Sequence, residues 1–267
     1  MKIFVVFKLL MLGGYLSFAQ SLGGSAAGMG EAGVAQRDAW SAFYNVGGLA
    51  GVKQTTLVAG YESRFGFSEG LHAAGVGFVK PMNFGVGSLS VYRFGDALYS
   101  EDQIALGFSH RVSQFSFGLR LNGYQYHIET VGTRFTTAVD IGGTAKLSSE
   151  LTFGMQITNL TQAKKSRLTE EKIPTLVQTG LNYRPTEAIR LVAEVEHQVQ
   201  QKTNAKFGAE YTAMKKINLR CGVQTAHFQQ FFGLGLNHRL LQIDYALRTH
   251  SELGLSHQLS LAYKLER

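Results

Sequence analysis

Two glycine-framed motifs and eight histidines are the residues of this chain whose types and spacing bear on chemistry. Gly28-x-Gly30-x-x-Gly33 has the spacing of a dinucleotide fingerprint, in which glycines let a pyrophosphate approach a helix N-terminus. That chemistry needs a strand before the motif and an acid about 20 residues after it. Lys53 stands at that distance from Gly33, and a leader-like segment precedes the motif. Close packing of small residues explains it better. Gly66-x-Ser68-x-Gly70 matches a nucleophile elbow, which requires a strand-to-helix turn. Here it falls between two alternating segments and reads as a hairpin loop. His72, His110, His127, His197, His227, His238, His250 and His257 include no H-x-H or H-E-x-x-H pair suited to a metal. Ser256 and His257 evoke a lipid hydrolase built on an outer membrane face, but consecutive strand residues point to opposite faces. Cys221 is alone and reads as a small apolar side chain. These residues point to a non-enzymatic protein, with no catalytic residue, cofactor or metal ligand assigned.

The elements around these residues follow one pattern. From Thr55 onward, segments of roughly ten residues alternate apolar and polar, each followed by a turn. Ile189–Val199 (IRLVAEVEHQV) and Leu241–Thr249 (LQIDYALRT) are examples. Strict alternation gives a strand two faces suited to two solvents. Tilted strands of about ten residues span a bilayer, and closure into a barrel removes the unpaired edge that lipid forbids. The expected fold is all-β: a transmembrane antiparallel β-barrel of about 14 strands with a small N-terminal plug. The segment Asn83–Phe94 fits least well, because Phe84 and Val86 share one face while Leu89 and Val91 share the other. A bulge would reconcile them. Tight connections, such as Pro81-Met82 and Ser113-Gln114, alternate with longer ones, as periplasmic turns alternate with outer loops. Gln162–Pro174 is the longest and most charged connection and reads as a solvated loop.

Composition agrees. Charged residues are 17% of the chain against about 25% in soluble domains. Prolines number only 3, which suits strands that pair along their length. Residues 1–19 read as a signal peptide, with Lys2, an apolar run and Ser17-Phe18-Ala19 before the cleavage point. Residues 20–54 are the expected plug segment and 55–267 the expected barrel. Removing Lys2 and Lys8 would lower the formal charge of +7 by two, leaving a modest positive balance. That balance suits outer-membrane lipid and lipopolysaccharide as partners. No basic helix or base-stacking module points to nucleic acid.

Alternation also assigns faces. Outward fall Phe115, Phe117, Leu119 and Leu121, with Leu151, Phe153, Met155 and Ile157. Inward fall Arg120, Asp140, Gln156, Gln178, Asn182, Glu194, Glu210, Arg220, Asp244 and Lys264. Arg120 with Asp140, and Glu210 with Arg220, lie on neighbouring strands and read as structural charge braces across the lumen. Many inward positions are glycine, including Gly75, Gly118, Gly142, Gly208 and Gly233, which leaves room inside. The segment from Gly24 to Gly51 is rich in small residues, holds the sole Trp40, and is the natural occupant.

This segment resembles the opening of PorV/PorQ-like outer-membrane proteins, within the FadL-type long-chain fatty-acid transporter barrel group. Ala27, Met29, Gly30 and Ala32 stand in the family's small-residue run, and Asp38 in its aspartate segment. Asn45, Gly47, Gly48 and Leu49 stand in its Asn-Pro-Ala-Gly-Leu motif, with Val46 in place of proline and Gly47 in place of alanine. Asp244–Leu265 is similar to its last hairpin. The resemblance implies fourteen strands, a plug and the outer membrane of Bacteroidota-type bacteria. It further implies an accessory role in type IX secretion or surface-protein assembly, with translocon components or secreted cargo as partners. FadL-type relatives imply the alternative, a plugged channel for uptake of hydrophobic small molecules.

Overall fold

A computed structural model describes residues 22–65, 72–129, 132–165, 172–198, 201–226, 228–250 and 254–265. The signal sequence and the Gly66-x-Ser68-x-Gly70 motif lie outside them. Fourteen strands follow the alternating segments: β1 Thr56–Ser63, β2 His72–Met82, β3 Gly85–Gly95, β4 Tyr99–Val112, β5 Phe115–Ile128, β6 Gly132–Lys146, β7 Leu151–Thr158, β8 Leu176–Tyr183, β9 Ile189–Gln198, β10 Asn204–Ala213, β11 Ile217–Gln224, β12 Gln229–His238, β13 Leu241–His250 and β14 Gly254–Lys264. Each pairs antiparallel with its sequence neighbours, and β1 pairs with β14, so the barrel is closed. No helix among the described residues is long and apolar enough to cross a membrane.

Burial alternates along the wall as the pleat requires. In β5, Phe117, Leu119 and Leu121 are exposed while Ser116, Arg120 and Asn122 are buried. The exposed Leu, Phe, Val and Tyr side chains of all the strands form the lipid-facing belt of a bacterial outer-membrane barrel. Tight turns, such as Ser113-Gln114, lie at one end, together with the start of β1 and the end of β14. This end is periplasmic by the rule that inner turns are short.

Two expectations for β3 need correction. Its pairing with β2 runs without interruption from Met82↔Gly85 to Ala73↔Phe94, so no bulge is present. Val86 faces inward at 6% exposure, and Leu89 and Val91 face lipid. The connecting turn is Asn83-Phe84, since Pro81 lies on β2 opposite Val86. Val86 is apolar and lumenal because the lumen is not uniformly polar. It packs in a buried cluster with Trp40, Phe43, Val46, Leu49, Val58 and Val79.

Candidate functional site: the plugged lumen

The plug begins with a one-turn helix, Gly24–Ala27, followed by two 3-10 turns, Ala39–Ala42 and Val46–Gly51. Each 3-10 turn is opened by a side-chain cap. Asp38 accepts from the Trp40 backbone N–H at 3.0 Å, and Asn45 accepts from the Gly47 N–H at 3.0 Å. The Asn45 amide also donates to the carbonyls of Val34 (2.6 Å) and Gly143 (2.9 Å), tying the plug to itself and to the wall. Gly47 lies against wall glycines: a Cβ on Gly118 would sit 2.7 Å from the Gly47 nitrogen. A Cβ on Gly233 would sit 3.0 Å from the Gly28 Cα. Glycines on the wall are therefore where plug backbone approaches strand backbone. Gly48 is equally confined, against Ser41 and the Gln36 carbonyl, and Leu49 is fully buried.

Charges hold the rest of the plug. Arg120 meets Asp140 at 2.8 Å and donates to the carbonyls of Ala42 (2.7 Å) and Tyr44 (3.1 Å). Arg220 meets Glu210 and Asp244, each at 2.6 Å. The structure thus brings together both sequence-assigned pairs. It also shows ionic contacts that were not singled out. Lys206, 2% exposed, lies between Glu194 (3.1 Å) and Glu196 (2.9 Å), and Glu194 accepts from the Val34 N–H at 2.8 Å. Arg248 links Glu31 of the plug (2.9 Å) to Glu62 of β1 (2.5 Å). Arg190 donates to Ser25 at 3.0 Å. With its amide oriented to satisfy both neighbours, Gln36 donates to Asp38 (3.2 Å) and accepts from Arg190 (3.1 Å). Strand parity marks Glu196, Lys206 and Arg248 as inward too, since each alternates with outward apolar residues. Burial pushes the Asp38 carboxyl above its usual range, and the Arg190 charge offsets part of this.

The wall itself departs from regularity at one place. β7 pairs with β6 only as far as Ile157↔Ile141, although β6 continues outward to Gly132. At Asn159, with φ of 49°, the chain turns inward. Asparagine tolerates that left-handed conformation better than most residues. The Asn159 N–H donates to Asp140 Oδ1 at 2.8 Å, and its amide donates to the Ile173 carbonyl at 2.7 Å. Asn159 and Ile173 are 1% and 8% exposed, so the connection expected to be a solvated loop is anchored inside the barrel at both ends. Asp140, assigned from sequence as a partner of Arg120 alone, is also the anchor of this turn.

Two spaces adjoin the turn. An inner cavity of about 60 Å³ lies between the plug and the inturned connection and is lined by Phe43, Tyr44, Arg120, Tyr126, Gln156 and Ile173, among others. Gln156 Oε1 is buried there without a hydrogen-bond partner. A larger depression of about 1110 Å³ is bounded by outward residues (Ile104, Gly123, Phe135), inward ones (Gln103, Tyr124) and Lys164 and Lys165. Beside it β7 no longer pairs with β6 beyond Ile141, although the Leu160 N–H still donates to the Val139 carbonyl at 2.8 Å. Tyr124 and Lys165 line both spaces.

Ser256 and His257 do not form a catalytic pair. Ser256 is buried and accepts from the Phe65 N–H at 3.2 Å, whereas His257 lies on the outer face against Tyr245. Gly28, Gly30 and Gly33 pack the plug against Arg220, the β10–β11 backbone and Tyr44 respectively, with no strand before them among the described residues.

No family model matches the chain, and no curated protein matches its sequence. Solved structures do match its shape. The CymD monoaromatic hydrocarbon channel superposes with a TM-score of 0.68 at 11% identity, covering 94% of this chain and 99% of that one. The toluene transporter TodX of P. putida gives 0.67 at 11% identity, covering 93% and 100%. A FadL homologue of Pseudomonas aeruginosa gives 0.65 at 12% identity, covering 91% and 98%. The barrel has the FadL-type fold.

Proposed function

We propose that this protein is a plugged outer-membrane channel that admits a small hydrophobic molecule through the side of the barrel. The observation that carries the reading is the inward turn of the chain at Asn159. Among the described residues no strand pairs with β6 on that side beyond the Leu160 bond to the Val139 carbonyl, and a depression about 1110 Å³ in volume lies beside it, with Tyr124 lining both this depression and the inner cavity. Its outer rim carries Val91, Ile104 and Phe135, and its inner rim carries Tyr124, so an apolar or aromatic molecule meets matching surface on the way in. The fold neighbours named for hydrocarbon and toluene transport support the same class of cargo. The inner cavity of about 60 Å³ is too small for an aromatic ring, which needs about 150 Å³. Passage therefore requires the plug or the inturned connection to move.

The test is uptake of a radiolabelled monoaromatic compound by cells expressing a Cys221→Ala background with Thr137→Cys on the outer part of β6. Attachment of a bulky maleimide at position 137 is expected to abolish uptake, while the same label at Ala209→Cys, on the lipid-facing side of β10, leaves it intact. Equal uptake by labelled and unlabelled Thr137→Cys would refute the side route. A second reading, an accessory in type IX secretion or surface assembly, draws on the Asn45–Leu49 resemblance and on Phe135, 76% exposed on the part of β6 that no strand pairs with on that side among the described residues, where an extended partner segment could add. That reading gains if cargo or translocon proteins co-purify and no compound is taken up.

A further inference from the structure

Next to the depression, with which it shares Val91, the lipid-facing wall over β14, β1 and β2 carries a shallow trough. It has a volume of about 380 Å³ and is lined by Ala59, Tyr61, Ala74, Val76, Leu259 and Leu261, with Val91 and Arg93 along one side. The register explains it. Ala59 lies opposite Val76 and Leu261, and Tyr61 lies opposite Ala74 and Leu259, so two alanines on adjacent strands lower the floor between taller neighbours. Gly60 and Gly75 leave the wall thin behind this floor. A Cβ on Gly60 would sit 3.0 Å from Leu22 of the plug, and one on Gly75 would sit 3.2 Å from Phe43.

The outer end of the trough is polar. One row further from the periplasmic turns, His72, Ser63 and His257 stand side by side across β2, β1 and β14. His72 Nδ1 is hydrogen-bonded to the Tyr61 hydroxyl at 2.9 Å, and His257 Nδ1 to the Tyr245 hydroxyl at 2.7 Å. Each tyrosine holds its imidazole by one nitrogen, which leaves the second nitrogen of His72 outside that bond. Arg93 borders the trough with its side chain 60% exposed, in a loose 3.6 Å contact with Asp102. An exposed guanidinium at the edge of an apolar belt is suited to a phosphate.

We infer that the trough is a binding site for the lipid A portion of lipopolysaccharide. The surface faces acyl chains along its length, so its occupant is a lipid. The polar end lies away from the short periplasmic turns, so that lipid belongs to the outer leaflet, whose characteristic lipid is lipopolysaccharide. One acyl chain lies over Ala59 and Ala74 between the walls of Val76 and Leu261. A glucosamine phosphate meets Arg93 and His72. The occupied trough backs directly onto the plug residues Leu22 and Phe43, so lipid and plug pack against the two faces of the same thin stretch of wall.

Native mass spectrometry of the full-length protein in detergent, titrated separately with lipid A and with phosphatidylglycerol, tests this. Lipid A is expected to be retained about tenfold more strongly than phosphatidylglycerol. Ala74→Trp, which fills the trough from the lipid side, is expected to abolish the preference. Arg93→Gln is expected to weaken lipid A binding several-fold with the barrel intact on heat-modification gels, and it serves as the reporter if Ala74→Trp fails to fold. Equal retention of the two lipids by the unaltered protein, or unchanged lipid A retention in Arg93→Gln or folded Ala74→Trp, would overturn the assignment.

Discussion

Arg220→Ala is the substitution with the most calculable effect. The guanidinium is held by two carboxylates at 2.6 Å, with its side chain 1% exposed, and no water can replace it without rearrangement. Its removal leaves Asp244, 3% exposed at the side chain, with only the Gln242 amide at 2.7 Å, and leaves Glu210 with Arg190 at 3.7 Å. Breaking one side of a buried pair in this way costs about 3–5 kcal/mol, because the stranded charge stays desolvated. The guanidinium also fills the space over Gly235, so the alanine leaves a void beside it. The assay is urea unfolding in detergent micelles, followed by the loss of the fast-migrating folded band. A second protein, carrying Arg220→Met with Asp244→Asn, removes one cation together with one carboxylate and leaves Glu210 to Arg190. It is expected to recover most of the loss, since an uncharged set of similar shape has no desolvation to offset. A loss below about 1 kcal/mol in Arg220→Ala, the range of a surface ion pair, would refute the view that these residues brace the lumen.

Gly118→Val is expected to displace the plug at a cost of about 1–3 kcal/mol, since its first carbon already falls 2.7 Å from the Gly47 nitrogen. Trypsin cleavage at Arg37, absent in the unaltered protein, would report it. Asn45→Ala removes two donated hydrogen bonds and a cap, and is expected to destabilise by about 1–3 kcal/mol with the same gain in Arg37 cleavage. Asp38 holds its proton more tightly in the folded than in the unfolded chain, so its contribution is fullest below the usual carboxylate range and is lost as pH rises through the raised folded value. Asp38→Asn keeps the cap on Trp40 without the charge. Its stability relative to the unaltered protein is therefore expected to rise with pH across that window, and a fall would contradict the assigned sign.

The strands were legible because lipid on one side and a partly polar lumen on the other impose a period of two, which side-chain type records directly. The closeness of the plug was legible in the inward glycines, since only a missing side chain admits a second backbone at Gly118 and Gly233. The reading failed where both solvents are apolar. On β3, Val86, Tyr92 and Phe94 all face the plug, so apolar residues occupy both sides and parity loses its marker. The turn at Asn159 was hidden for another reason. Its cause is a hydrogen bond from its own N–H to Asp140, nineteen positions earlier in the chain, and local pattern carries no trace of a partner that distant. Lys206 and Arg248 were within reach of parity; Lys206 meets Glu194 and Glu196 on the neighbouring strand, whereas the role of Arg248 depends on Glu31 and Glu62, which meet it only after closure.

The contacts of Arg248 have a consequence for biogenesis. This side chain arrives on the penultimate strand, yet it fastens the leading peptide to the first strand, while the Gly24 N–H donates to Ser260 Oγ on the last strand at 2.9 Å. The interior can be completed only when the two extremities of the polypeptide meet. A chain released before its final hairpin would keep the plug's ties to β5, β6 and β9 but lack both the seam and these last fastenings, so the final step of insertion would also be the step that locks the channel.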